Sequence, residues 1–190
     1  MNKPTFKQIA VVALIASLAF SFGLVATNVR LHQTPQVTAN VYFYEGSGAD
    51  AKLIAESGNL ITDFGEETML EALVGNATDI TGIAAGNSST IDQTDTGLDT
   101  EATDSGFDRV ACNVSALWSN SGDSARNFTA SFDATVTISV NSVILTLSTV
   151  SETADAMATS FITDGTQHQF PLSTPASRLT VVWVLTVNAN

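Results

Sequence analysis

Between residues 128 and 141 apolar and polar side chains alternate without a break. Phe128, Ala130, Phe132, Ala134, Val136, Ile138 and Val140 fall on one side, and Thr129, Ser131, Asp133, Thr135, Thr137, Ser139 and Asn141 on the other. Side chains of a strand point to opposite faces in turn, so a period of two over this length predicts an antiparallel strand with one dry and one wet face. Residues 109–119 have the same period: Val110, Cys112, Val114, Ala116 and Trp118 oppose Arg109, Asn113, Ser115 and Ser119. The Asn120-Ser-Gly-Asp-Ser-Ala125 stretch between the two segments is turn chemistry, so a hairpin is expected. Near the C-terminus Leu179, Val181, Trp183, Leu185 and Val187 share one face, while the other, Thr180, Val182, Val184 and Thr186, is also largely apolar. A strand apolar on both faces belongs in the middle of a sheet or under cover.

Val37, Ala39, Val41 and Phe43 alternate with Thr38, Asn40, Tyr42 and Tyr44, which is again strand grammar. Shorter strands are expected at 52–55 and 59–62, separated by Glu56-Ser-Gly58, and at 80–85, 143–148 and 161–163. One helix is expected. Asp63 with Glu66 three residues on forms a capping-box-like start, Met69/Leu73 and Leu70/Val74 supply apolar pairs one turn apart, and Gly75-Asn76 supplies the stop. Residues 86–105 form a long acidic loop. About eight strands divided by Gly, Ser and Asn turns indicate a mainly β chain, an antiparallel β-sandwich of jelly-roll-like character with one short helix.

The N-terminus is different in kind. An apolar run from residue 9 to 26 follows Lys3 and Lys7, and every Asp and Glu lies at Glu45 or later. The expected organisation is a signal peptide or membrane anchor over 1–27, an extended tail and first strand over 28–44, and the β-sandwich over 45–190. Three readings of the leader stand side by side: a cleaved secretory signal, a retained anchor helix, and a pilin-type leader cut after Lys7. All three pass through the export machinery and place the protein outside the cytoplasm, at the cell surface, touching a membrane only through this segment. Asn76, Asn87, Asn113 and Asn127 each begin an Asn-x-Ser/Thr acceptor for N-linked glycans. Alternation places Asn113 and Asn127 on polar faces.

Removing Lys3 and Lys7 takes the formal charge from −12 to −14. Such a surface repels phosphate backbones and anionic lipid headgroups, which argues against nucleic acid as a partner. Cys112 is the only cysteine, so no disulfide can form within the chain, and its place among apolar residues points to an inert thiol. No catalytic constellation stands out, and an enzyme is not expected. Gly122-Asp-Ser124 echoes a serine-protease nucleophile segment with His168 as nominal base, but Ala125-Arg126 follows where glycine would be needed, and a hairpin turn accounts for it. His32 and His168 have no partner at zinc-ligand spacing. The acidic loop carries Asp92, Asp95, Asp99, Glu101, Asp104 and Asp108, oxygen donors of the kind calcium takes, though not at EF-hand spacing. The first four are the candidate calcium ligands, and no other cofactor is indicated.

Gly58-Asn-Leu-Ile-Thr62, the short helix, Asp95-Thr-Gly-Leu98 with Glu101, Phe107-Asp-Arg109, Asn127-Phe-Thr129 and Leu179-Thr-Val-Val-Trp-Val-Leu-Thr186 together resemble β-rich subunits of archaeal extracellular thread- and pilus-like filaments. They are also similar to modules of viral tail and fibre proteins. The filament resemblance implies glycosylated β-domains strung into a homopolymer by an N-terminal strand inserted into a neighbour, with Val37, Ala39, Val41 and Phe43 as the exchanged side chains. The expected role is therefore a structural filament subunit. Its rivals are a membrane-anchored module binding glycans or cations, and a virion or tail structural protein.

Overall fold

The structure, a computed structural model, describes residues 36–188 except 47, 74, 77–78, 104, 121–122, 151–153, 164 and 171–176. In chain order the elements are β1 (Gln36–Glu45), β2 (Lys52–Gly58), β3 (Leu60–Ile61), helix α1 (Asp63–Leu73), β4 (Gly82–Asn87), β5 (Thr100–Glu101), β6 (Val110–Ala111), β7 (Asn113–Val114), β8 (Trp118–Asn120), β9 (Asp123–Asp133), β10 (Ile138–Val140), β11 (Ser142–Thr146), β12 (Ala156–Phe161), β13 (His168–Phe170) and β14 (Arg178–Asn188). The described part is mainly β, antiparallel throughout, with α1 as its one α-helix. The leader and the tail up to residue 35 lie outside the described residues. Among the described residues no helix is long and apolar enough to cross a membrane.

Two sheets of six strands account for most of it. The first runs β2-β1-β14-β9-β7 with β8 also on β9, and the second runs β3-β12-β11-β4-β5 with β6 also on β4; β10 and β13 pair separately. The doubly apolar segment becomes β14 and takes the middle of the first sheet, as its composition requires. It pairs with β1 from Gln36↔Asn188 to Glu45↔Leu179 and with β9 from Arg178↔Asp133 to Val187↔Ser124. Val41, Phe43, Phe128, Phe132, Leu179 and Trp183 from this sheet share one core with Ile83, Ala85, Val143, Leu145 and Met157 from the second. The second sheet is dry on both faces. Ala84, Ile144 and Ala156 on its far side are fully buried, and Leu98 packs on them. The acidic stretch is thus a cover for a sheet face as well as a solvated loop.

Several expected elements come out differently, each for a local reason. The long strand at 128–141 stops at Asp133, because the Thr135 N–H turns away to the Ser105 carbonyl at 2.8 Å. Gly106, with a φ of 78°, sits so close that a Cβ there would lie 1.8 Å from the Asp133 oxygen. The bend leaves Val136 50% exposed, off the dry face. Residues 109–119 also break. β6 joins the second sheet and β7 and β8 join the first, the crossing being made at Cys112, whose N–H donates to Thr81 O at 2.9 Å. Arg109, assigned to the wet face, is buried, while Val114 and Trp118, assigned to the dry face, are exposed. The expected hairpin forms between β8 and β9, closed at Asn120↔Asp123. β12 ends where a strand was expected to begin, at Phe161, and its Ala, Thr and Ser carry no alternation because almost all of it is buried. The expected boundary at 44–45 falls inside β1.

The helix is capped one residue before the expected capping box. The Thr62 hydroxyl accepts the Gly65 N–H at 3.0 Å and donates to the Ala156 carbonyl, so the cap also pins the helix to β12. At the other end Gly75, at φ 91°, donates to Ala72 O and Asn76 donates to Glu71 O, a Schellman closure. Phe64 and Met69 face the core, whereas Leu70 is exposed. A Cβ on Gly65 would lie 2.0 Å from the Met157 carbonyl oxygen, while one on Gly58 would meet nothing within 4 Å. Gly65→Ala should therefore cost about 1–3 kcal/mol by overpacking. Gly58→Ala should stay within about 0.5 kcal/mol. Urea midpoints of the two variants check the contrast.

Candidate functional site

Three regions bring polar or exposed apolar residues together. The first is a groove of about 540 Å³ bordered by Asp95, Leu98, Asp99, Glu101 and Arg109. At its floor Arg109 Nε donates to Glu101 at 2.9 Å and Nη1 to Asp155 at 2.6 Å, with the guanidinium fully buried. Nη1 also approaches the Ser148 carbonyl at 3.4 Å. Burial alone would push Arg109 down, but the hydrogen bonds and charges of Glu101 and Asp155 outweigh it and hold the group above its ordinary value. One cation therefore clamps β5, the strand after it and the loops at the ends of β11 and β12. Sequence reading missed this clamp. Its one signal was an Arg in a chain with few cations, and Asp155 is distant in sequence.

Of the four candidate calcium ligands, Asp95, Asp99 and Glu101 border this groove, and all four carboxylates accept hydrogen bonds from the protein. Asp92 accepts from the Thr94 N–H and hydroxyl, both at 3.0 Å, which holds its pKa below the usual carboxylate value. Asp95 accepts the Asp92 N–H at 2.8 Å. Asp99 accepts the Ser89 N–H at 2.7 Å and hydroxyl at 2.8 Å, and is held low for the same reason. Glu101 belongs to the clamp. Asp108 is exposed, and Asp104 lies outside the described residues. Among the described residues no three His, Cys, Asp or Glu side chains are grouped as a metal site.

The second region is one end of the first sheet. There Val37 and Val187 pair and are 36% and 39% exposed, while Val114, at the register of Phe128, Trp183 and Val41, is 43% exposed. Val114 borders a groove of about 520 Å³ that is also lined by Ile80, Cys112, Arg126 and Phe128 among others. Burial pushes the Cys112 thiol up, so it is a poor nucleophile. The chain enters β1 at the end where Val37 pairs with Val187. Of the strand-exchange set, Ala39, Val41 and Phe43 are buried in the chain's own core, and the strand that covers β14 is β1 of the same chain.

The third region is the outer face of the first sheet, where the acceptors Asn113 and Asn127 lie on β7 and β9. Asn76 follows α1 and donates to Glu71 at 2.9 Å. Asn87 is half-buried, donating to the Ser139 carbonyl at 3.2 Å and accepting from Gln167 at 3.4 Å. The hydrolase-like pair is not assembled. Ser124 lies opposite Val187 in the first sheet, whereas His168 lies opposite Val140 in the separate β10–β13 pair, against the Phe170 ring and 3.9 Å from Glu45. His32 lies outside the described residues.

Comparison with protein-family models, with curated proteins and with solved structures found no match to this chain. The site geometry itself generates two expectations. Arg109→Ala leaves Glu101 and Asp155 buried without their cation and should cost about 3–5 kcal/mol, read as a lowered urea midpoint. Chelation with excess EDTA should leave the melting temperature unchanged, since the loop carboxylates are engaged by the protein; a fall of many degrees would reveal a bound cation.

Proposed function

We propose that this chain is a non-enzymatic structural subunit of an extracellular cell-surface filament, an exported and N-glycosylated β-sandwich that polymerises with copies of itself by strand complementation. One observation carries the reading. β1 is an insert between β14 and β2, laddered on both sides and supplying Ala39, Val41 and Phe43 to the core. Among the described residues it is joined to β2 through the short segment 46–51. A neighbour's β1 in the same slot would make the same backbone ladder and bury the same side chains. Exchange then costs little beyond straightening the short connection and ordering two chains together, the usual economy of a domain swap. The partly uncovered pair of Val37 and Val187 at the end where β1 begins supports the same reading, because exposed apolar surface there suits a contact.

The apolar leader and the Asn-x-Ser/Thr acceptors support export, and the tail at 28–35 supplies the spacer between leader and exchanged strand. The anchored cation-binding module draws less support, given the engaged loop carboxylates. Thr38 and Thr186 are directly opposed on β1 and β14, so a cysteine pair there can lock β1 into its own sheet. In a Cys112→Ser background, the oxidised Thr38→Cys/Thr186→Cys chain should stay monomeric. The reduced form should assemble into rods of uniform width under negative stain. Rods from the fully oxidised monomer, or none from the reduced chain, would remove strand exchange.

A further inference from the structure

The two acceptor motifs on the first sheet face each other. Asn113-Val-Ser115 runs antiparallel to Asn127-Phe-Thr129, with Asn113 opposite Thr129 and Val114 opposite Phe128. Ser115 stands opposite Asn127: its N–H donates to the Asn127 carbonyl at 2.9 Å, and its Oγ accepts the Asn127 N–H at 2.9 Å. Phe128 is buried in the core, so Asn127 and Thr129 point outward, and Asn113 and Ser115 share that face by register. Each asparagine therefore sits diagonally across from the other, about 7–8 Å away for such neighbours. An N-linked glycan is bulky, so two at this spacing would crowd one another.

We propose that the facing motifs form a single attachment site in which Asn113 carries the glycan and Asn127 stays bare. The proposal rests on the reading of the chain as an exported glycoprotein. The two asparagines differ in how their backbones are held. Asn113 is exposed on the two-residue β7, the outermost strand of its sheet among the described residues, and few hydrogen bonds need open to free it. Asn127 is half-buried in the 11-residue β9, laddered to Val184 of β14 on one side and to Ser115 on the other. Its Oδ1 is buried without a partner, pressed into the sheet surface. Local fraying releases the first motif, whereas release of the second requires the middle of the sheet to open.

The step joins Asn113 Nδ2 to the anomeric carbon of a sugar delivered on a lipid phosphate carrier. The carbon–oxygen bond to the carrier breaks, the carrier leaves with that electron pair, and Nδ2 gives up one proton. A glycan at β7 stands at the edge of the sheet opposite β2, with β9 and β14 between it and β1. Modification there leaves the exchange slot clear.

Trypsin separates the two acceptors, because cleavage after Arg109, Arg126 and Arg178 puts Asn113 in peptide 110–126 and Asn127 in peptide 127–178. The full chain secreted from an N-glycosylating host should yield a glycosylated 110–126 peptide and an unmodified 127–178 peptide. Asn113→Gln and, separately, Ser115→Ala should each abolish glycan on this face, while Asn127→Gln should leave the occupancy of 110–126 unchanged. Glycan on 127–178, alone or together with 110–126, overturns the single-site assignment and leaves the exported-glycoprotein reading intact. Absence of glycan at all four acceptors removes that reading, and this assignment with it.

Discussion

The first sheet depends on β14, the last of the described strands, holding two long ladders at once. Trp183 lies fully buried between Val41 of β1 and Phe128 of β9, and Val181 and Leu179 repeat the arrangement beside it. The indole N–H of Trp183 finds no hydrogen-bond partner, a burial that costs about 1–3 kcal/mol and is offset only by the packing around the ring. Since β1 and β14 stand at opposite ends of the described residues, this core closes only when distant segments meet. Contacts so separated in sequence pay loop-closure entropy before they stabilise the fold, which slows folding.

The second sheet solves a different problem. With no disulfide within the chain, its far face is kept dry by a loop rather than by a covalent staple. Leu98 plugs the apolar spot made by Ala84, Ile144 and Ala156, and the loop's carboxylates are turned to internal work as caps of their own turns. Gly86 permits the close approach, since a Cβ there would lie 2.2 Å from the Thr100 carbonyl oxygen. The Arg109 clamp then fixes the loop's end to the body. Acidity that looks like a cation site in the sequence is, in the fold, largely the means by which a polar loop satisfies its backbone while covering apolar surface.

Register also gives the chemistry of the surface a meaning that motif matching lacks. Four acceptor triplets are equivalent as strings. In the fold, Asn87 is tied to Ser139, Asn127 is held within a ladder, and Asn113 is exposed at an edge. The difference arises from how many hydrogen bonds hold each backbone, a property of the neighbours and not of the triplet.

Periodicity in the chain was enough to identify β1, β14 and most of β9, because a strand with one or two apolar faces writes its pattern directly into consecutive residues. The helix was legible through its glycine stop, and the central place of β14 through its second apolar face. Tertiary structure decided the rest. It set where 109–119 and 128–141 leave one sheet for another, since those breaks are imposed by Thr81, Ser105 and Gly106 arriving from elsewhere. β12 had no pattern to read because burial on both faces erases alternation. Asp155 could be matched to Arg109 only once 46 positions of chain had folded back between them, which no local spacing records.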